Sequence, residues 1–102
     1  MQLTIITFGY KVAPPPTGCA WVIDARNIPD ASIEGLWQQT GLDAAVSDKV
    51  LATSQAQDWL DKFEAKLPDL QDGDRIAVGC SIGVHRSVAL AQAMADIARE
   101  AG

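Results

Sequence analysis

No stretch of this 102-residue chain is long and apolar enough to cross a membrane. The longest uncharged runs are residues 1–10 and 12–23, and Pro14, Pro15 and Pro16 break the second. Cations are scarce, eight Lys and Arg against thirteen Asp and Glu. The formal charge of −5 therefore predicts no general nucleic-acid surface, which would need clustered Lys and Arg. Histidine occurs once and cysteine twice, so no disulfide framework is expected; Cys19 and Cys80 read as free thiols, and nothing implies a metal or a cofactor. The start Met-Gln-Leu-Thr-Ile-Ile lacks the cationic opening of a signal peptide, which points to the cytoplasm. Biased or repetitive stretches are absent as well, so the expectation is one domain over residues 1–102 with a small core, 48% of the residues being hydrophobic.

What is present reads as alternating strands and helices. Leu3 to Phe8 is a β-branched run stopped by Gly9, and Ala20 to Ile23 is a second short run stopped by Asp24. The three prolines forbid regular structure between them. Turn chemistry at Asn27, Pro29, Asp30, Gly35 and Gly41 makes residues 27–43 loop-rich, with a short helical turn around Glu34 to Gln38. From Asp43 to Leu67 there is no Gly or Pro, and Ala56, Leu60, Phe63 and Leu67 recur on one helical face up to the break at Pro68. Arg75 to Gly79 is a third strand, and Ser87 to Ala101 an Ala-rich helix with Val88, Ala91, Ala95 and Ala98 on one side. This order predicts a small α/β domain, two or three layers thick, with a mostly parallel sheet and flanking helices. The eleven-residue link between the first two strands is close to the lower limit for a parallel crossover. Six acids and two lysines between Asp58 and Asp74 read as a solvated face.

The chemistry concentrates between the third strand and the last helix, in Cys80-Ser81-Ile82-Gly83-Val84-His85-Arg86-Ser87. A Cys-x5-Arg loop leading into a helix can wrap an anion. Loop amides and the helix start present N–H donors, and a guanidinium holds two phosphate oxygens at once. Gly79 and Gly83 would allow close backbone approach and positive φ, while Ser87 would cap the helix or donate to a Cys80 thiolate. Converging donors, His85 and Arg86 would lower the Cys80 pKa, and a thiolate there can attack phosphorus. The spacing alone arises on the order of once in a hundred such chains, so its placement between strand and helix carries the reading. With parallel strands, Lys11, Arg26 and this loop all follow strand carboxyl ends, where open α/β sheets bind ligands. Trp21, Trp37 and Trp59 fit core packing, and Trp37, in the loop region, can also stack on a sugar or base.

Residues 79–88 resemble the Gly-Cys-Thr-Gly-Gly-Lys-His-Arg-Ser-Val signature of the C-terminal domain of the RapZ family of RNase adapter proteins. Three more segments agree in the same order: Thr7-Phe8-Gly9-Tyr10-Lys11 with Ser-Phe-Gly-Phe-Lys, Asp24-Ala25-Arg26 with Asp-Val-Arg, and Thr40-Gly41-Leu42-Asp43 with Thr-Gly-Leu-Asp. The resemblance implies a domain that binds an amino-sugar phosphate and contributes to small-RNA binding, joined in the family to a kinase-like half. The Walker A loop of that half does not occur here. Ile82 and Val84 replace Gly and Lys, Asp30-Ala31-Ser32 stands where the family carries a His, and the family's basic tail is missing. What carries over is a phosphate cradle.

The expectation is therefore a module that binds a phosphorylated small molecule, a sugar phosphate or nucleotide, or inorganic phosphate or sulfate, as a sensor or adaptor. Its ligand-binding residues would be Gly9, Lys11, Arg26, Cys80, Ser81, Ile82, Gly83, Val84, His85, Arg86 and Ser87. One alternative is a cysteine phosphatase with Cys80 as nucleophile, Arg86 on the phosphoryl oxygens, and Asp24 or Asp43 as general acid. A small-RNA adaptor is the second alternative. Neither RNA nor a membrane is an expected partner, and a homo-oligomer stays open.

Overall fold

Every residue from Ile76 to Cys80 is buried, the mark of a central strand in a parallel sheet. The computed structural model describes residues 2–29, 42–82 and 85–101. It contains strands β1 (Thr4–Gly9), β2 (Trp21–Asp24) and β3 (Arg75–Cys80), and helices α1 (Ala44–Leu51), α2 (Ser54–Lys66) and α3 (Arg86–Ala101). The sheet order is β1-β3-β2, and both pairings are parallel. Ile6 and Val22 thus flank Ala77, while Phe8 and Asp24 flank Gly79.

The crossover from β1 to β2 needs no helix. Eleven residues can span at most about 36 Å when extended, more than the roughly 20 Å length of a six-residue strand. Prolines 14–16 hold this link in irregular, extended chain, and Gly18, at φ +76°, takes the left-handed turn before Ala20 donates to the Arg75 carbonyl (2.8 Å).

The predicted long helix is two helices. Thr53 Oγ1 donates to the Val50 carbonyl (2.7 Å), closing α1, and accepts from the Ala56 N–H (3.2 Å), opening α2. A threonine that bonds the backbone on both sides competes with helix continuation, and no Gly or Pro is needed for the break. The Ala56, Leu60 and Phe63 face is buried as predicted, and Leu67 enters a 3-10 turn with Pro68. In α3 the buried face is Ser87, Leu90, Ala91 and Met94, rotated from the Val88, Ala91, Ala95 and Ala98 side expected. Alanine on every side of this helix blurs its period, and the larger Leu90 and Met94 take the core. The helical turn expected at Glu34 to Gln38 and Trp37 lie outside the described residues.

One core joins Ile23, Ile76, Val78 and Cys80 to Val46 and Val50 of α1, Phe63 of α2, and Leu90 and Met94 of α3. The helices therefore stack on one face of the sheet, in two layers among the described residues, and Ile6, Phe8, Val22, Ala77 and Gly79 lie on the other. Trp21 and Trp59 meet at the β2 edge with ring centroids 6.3 Å apart, and Trp59 Nε1 donates to Asn27 Oδ1 (2.9 Å). Cys19 is half-buried and outside this core. Among the described residues, no helix is long and apolar enough to cross a membrane.

Candidate anion site at the carboxyl edge of the sheet

Because all three strands run the same way, Gly9 to Lys11, Asp24 to Arg26 and Cys80 to Ile82 leave the sheet at one edge. β1 continues its ladder into the loop: the Tyr10 N–H donates to the Cys80 carbonyl (2.8 Å) and the Lys11 N–H to the Ser81 carbonyl (2.9 Å). A side chain at Gly9 would collide with the Ile82 backbone, so this glycine is what lets the loop fold down over the end of β1. Gly79 serves a different purpose from the anion approach expected of it. Phe8 lies across the space its side chain would fill, and positive φ among the described residues occurs only at Gly18 and Gly73. Gly83 and Val84 lie outside the described residues.

Arg86 is buried, 8% exposed, at the first turn of α3. Its Nη1 donates to the carbonyls of Ile28 (3.0 Å) and Arg26 (3.3 Å), and its Nη2 to Ser81 Oγ (3.0 Å). The guanidinium thus ties the chain after β2 to the loop after β3. No carboxylate pairs with it among the described residues, where the ion pairs are Arg26–Asp24 and Arg99–Asp96. A buried cation with only neutral acceptors leaves an electrostatic demand that an anion would meet.

Cys80 is 2% exposed, and its Sγ lies 3.3 Å from Ser87 Oγ, itself fully buried at the second residue of α3. Here the Cys80 thiol donates to the Ser87 hydroxyl, the reverse of the donation to a thiolate expected of Ser87. His85 is also buried, and its carbonyl accepts the Ala89 N–H (3.0 Å) at the start of α3. Ile82 is exposed, 58%, and Lys11 is exposed beside Ser81.

Asp24 is bound to Arg26 by three hydrogen bonds, from its backbone N–H (3.0 Å), Nε (2.9 Å) and Nη2 (2.7 Å). These bonds hold the Asp24 carboxyl below the usual aspartate range, with the Arg86 charge helping. A carboxylate so held is ionised at neutral pH and has no proton to give as a general acid. Asp43 precedes α1 and makes no side-chain bond to cap it. The Arg26 guanidinium lies 3.8 Å over the Tyr10 ring, which meets Phe8 edge-on with centroids 4.8 Å apart. Burial raises the Tyr10 pKa, with the Asp24 charge adding and Arg26 opposing. Tyr10 was not among the residues expected at the site. Its signal is the alternation Ile6, Phe8, Tyr10, which puts three bulky side chains on one face of the strand and its continuation.

At the opposite, amino edge an open groove of about 500 Å³ runs between Leu3, Ile5, Ala95 and Ala98, and its one cation, Arg99, is bonded to Asp96 (2.9 Å). The cation of that groove is therefore already paired, unlike Arg86 at the carboxyl edge.

Comparison with known proteins finds similarity along the whole chain. A family model described as the RapZ C-terminal domain matches residues 1–102. A protein of Frankia casuarinae is 40% identical over 101 residues, covering 90% of this chain and 35% of its own length. One from Nocardioides is 37% identical, covering 100% and 36%, and one from Acidothermus cellulolyticus is 36% identical, covering 94% and 33%. All three are named nucleotide-binding protein. This chain spans about one third of their length, so their name describes proteins with much more sequence. With a match that runs from the first residue to the last, the chain belongs to the RapZ C-terminal domain family.

Proposed function

We propose that the chain binds a phosphorylated small molecule at the carboxyl edge of its sheet, with the phosphate over residues 80–87, and that it acts as a sensor or adaptor without turnover. The observation that carries this reading is Arg86: a buried guanidinium with carbonyl and hydroxyl partners and no carboxylate among the described residues. Among the described residues it retains donor capacity, because three of its five N–H groups are used there. The relatives' name fits a phosphorylated ligand.

Calorimetric titration with inorganic phosphate and a hexose 6-phosphate tests it. Arg86→Lys keeps the charge but cannot serve two carbonyls, a hydroxyl and a phosphate together. Its affinity should fall at least tenfold, with a stability loss of about 1.5–3 kcal/mol for the charged hydrogen bonds. Lys11→Ala, an exposed change that leaves the fold alone, should weaken binding a few-fold. Equal binding by the parent and both variants, or no binding by the parent, overturns the reading.

The Cys80–Ser87 contact favours a second reading, a cysteine phosphatase. A Cys80 thiolate would attack phosphorus, the leaving oxygen would take a proton from an acid, and water would hydrolyse the thiophosphate. Asp24 does not suit the acid role, since Arg26 keeps it ionised. Hydrolysis of an aryl phosphate that vanishes in Cys80→Ser would establish this reading over the first.

A further inference from the structure

We infer that the outer edge of β1 is an interface to which a second copy of this chain adds antiparallel, joining the two three-stranded sheets into one. The inference does not depend on the anion site, and backbone geometry carries it. The Thr4 N–H donates to the Asp74 carbonyl (3.0 Å) and the Tyr10 N–H to the Cys80 carbonyl (2.8 Å), with β1 and β3 in parallel register between those ends. Alternate residues of a parallel strand bond to the same neighbour. Thr4, Ile6 and Phe8 therefore turn their backbone groups to β3, and Ile5 and Thr7 turn theirs away. β1 is outermost in the sheet, and among the described residues nothing outside the sheet bonds to the Ile5 or Thr7 backbone.

An outer strand is ordinarily guarded by charge, proline, shortness or a covering element. β2 has such guards: it is four residues long, ends at the ion-paired Asp24, and has Trp59 against Trp21 at its edge. β1 is six residues long, without charge or proline, and its Thr4 and Thr7 are exposed. Beside it, the groove between Leu3, Ile5, Ala95 and Ala98 leaves room for the side chains of an added strand. A second copy suits this edge because two identical edges pair antiparallel about a two-fold axis. With Ile6 of both copies on the axis, Ile5 faces Thr7 of the second copy and Thr7 faces its Ile5, so each outward N–H gains a carbonyl. The same register sets the carboxyl end of one β1 beside the amino end of the other. The exposed Lys11 of one copy thus comes to the end where Asp72 of the other, also exposed, holds the Gln2 N–H, and opposite charges meet at both ends of the pair.

Sedimentation velocity over a concentration series, with the parent, Thr7→Pro, Thr7→Lys and Val22→Thr, tests this. The parent should run as a dimer that dissociates on dilution. Thr7→Pro removes an N–H that points away from β3, so its monomer should fold, and a melting curve checks that. Losing one interface bond per copy should weaken the dimer about tenfold or more. Thr7→Lys sets a charge beside Ile5 of the second copy and should weaken the dimer as well, without any demand on the backbone of the strand. Val22→Thr, on the sheet face away from the helices, should leave the dimer as it is. In the parent, hydrogen exchange at the Ile5 and Thr7 amides should slow as the dimer fills. A parent that stays monomeric, a dimer that both Thr7 variants leave intact, or a dimer dissolved by Val22→Thr would overturn the interface. So would Ile5 and Thr7 amides that exchange equally fast in dimer and monomer.

Discussion

Arg86 and Arg26 are joined by one hydrogen bond and differ in everything that surrounds them. Sequence shows both as cations after strand ends. Their different surroundings follow from burial and partners, which a sequence lists only as candidates. The sequence offers Asp24 or Asp43 as a partner for Arg26, and Asp24, two residues before it, is the one bonded to it. That Arg86 would reach back to the Ile28 carbonyl was not, because 58 residues separate them and only the packed sheet brings them together.

Tyr10, the one tyrosine of the chain, reports on this cluster directly. Its phenol is raised above the ordinary value of about 10 by burial and by Asp24, and lowered by Arg26. An acid whose folded pKa is raised contributes stability fully present below pH about 10 and lost as the pH climbs through the folded value. The tyrosinate absorbance should therefore titrate above 10, higher still in Arg26→Ala, and closer to 10 in Asp24→Asn. A midpoint that moves down in Arg26→Ala would show that the guanidinium does not lie over the ring. Asp24 behaves oppositely. Its depressed pKa keeps the pair intact above the ordinary aspartate range and releases it as the pH falls through the lowered value.

At the scale of elements, β3 and the amphipathic face of α2 were legible because their periods are clean. Arg75 to Cys80 is an apolar run between polar turns, and Ala56, Leu60 and Phe63 share one stripe. The helix break was hidden by the lack of Gly and Pro in residues 43–67, although Thr53 is a residue type that starts helices. Removing its hydroxyl should cost about 1 kcal/mol in urea unfolding of Thr53→Ala, the usual loss for a helix cap. No change there would mean that packing, with Val50 and Ala56 buried on either side, sets the break alone. The face of α3 was misread by one position for a related reason. Where alanine fills every side of a helix, large residues choose the core, and Leu90 and Met94 outweigh Val88 and Ala95.

For the molecule as a whole, the cations do not gather into a stripe. Arg26 and Arg99 are in ion pairs, Arg86 is buried, and Lys62 and Lys66 lie over Trp59 and Trp21. Lys11, Lys49 and Arg75 remain, on the sheet's carboxyl edge, in α1 and at the start of β3. Against a net charge of −5 this arrangement supports no RNA affinity tighter than about 10 µM at physiological salt, the non-specific range. A submicromolar gel shift that weakened steeply with added salt would contradict it. The parallel sheet was legible as a class, since strands alternating with helices require crossovers. Its order was not, because placing β3 between β1 and β2 depends on which run can be buried on both sides.

The most direct test is a phosphate titration followed residue by residue in amide nuclear magnetic resonance spectra. A phosphate seated in the strand–loop–helix turn should shift the amides of Ser81, Ile82, His85, Arg86 and Ser87 together, saturably and with one dissociation constant. Lys11 should move with them, while Lys49, Lys62, Lys66 and Arg99 stay still. Shifts spread over those exposed cations, or none in residues 81–87, would contradict an anion site built around Arg86.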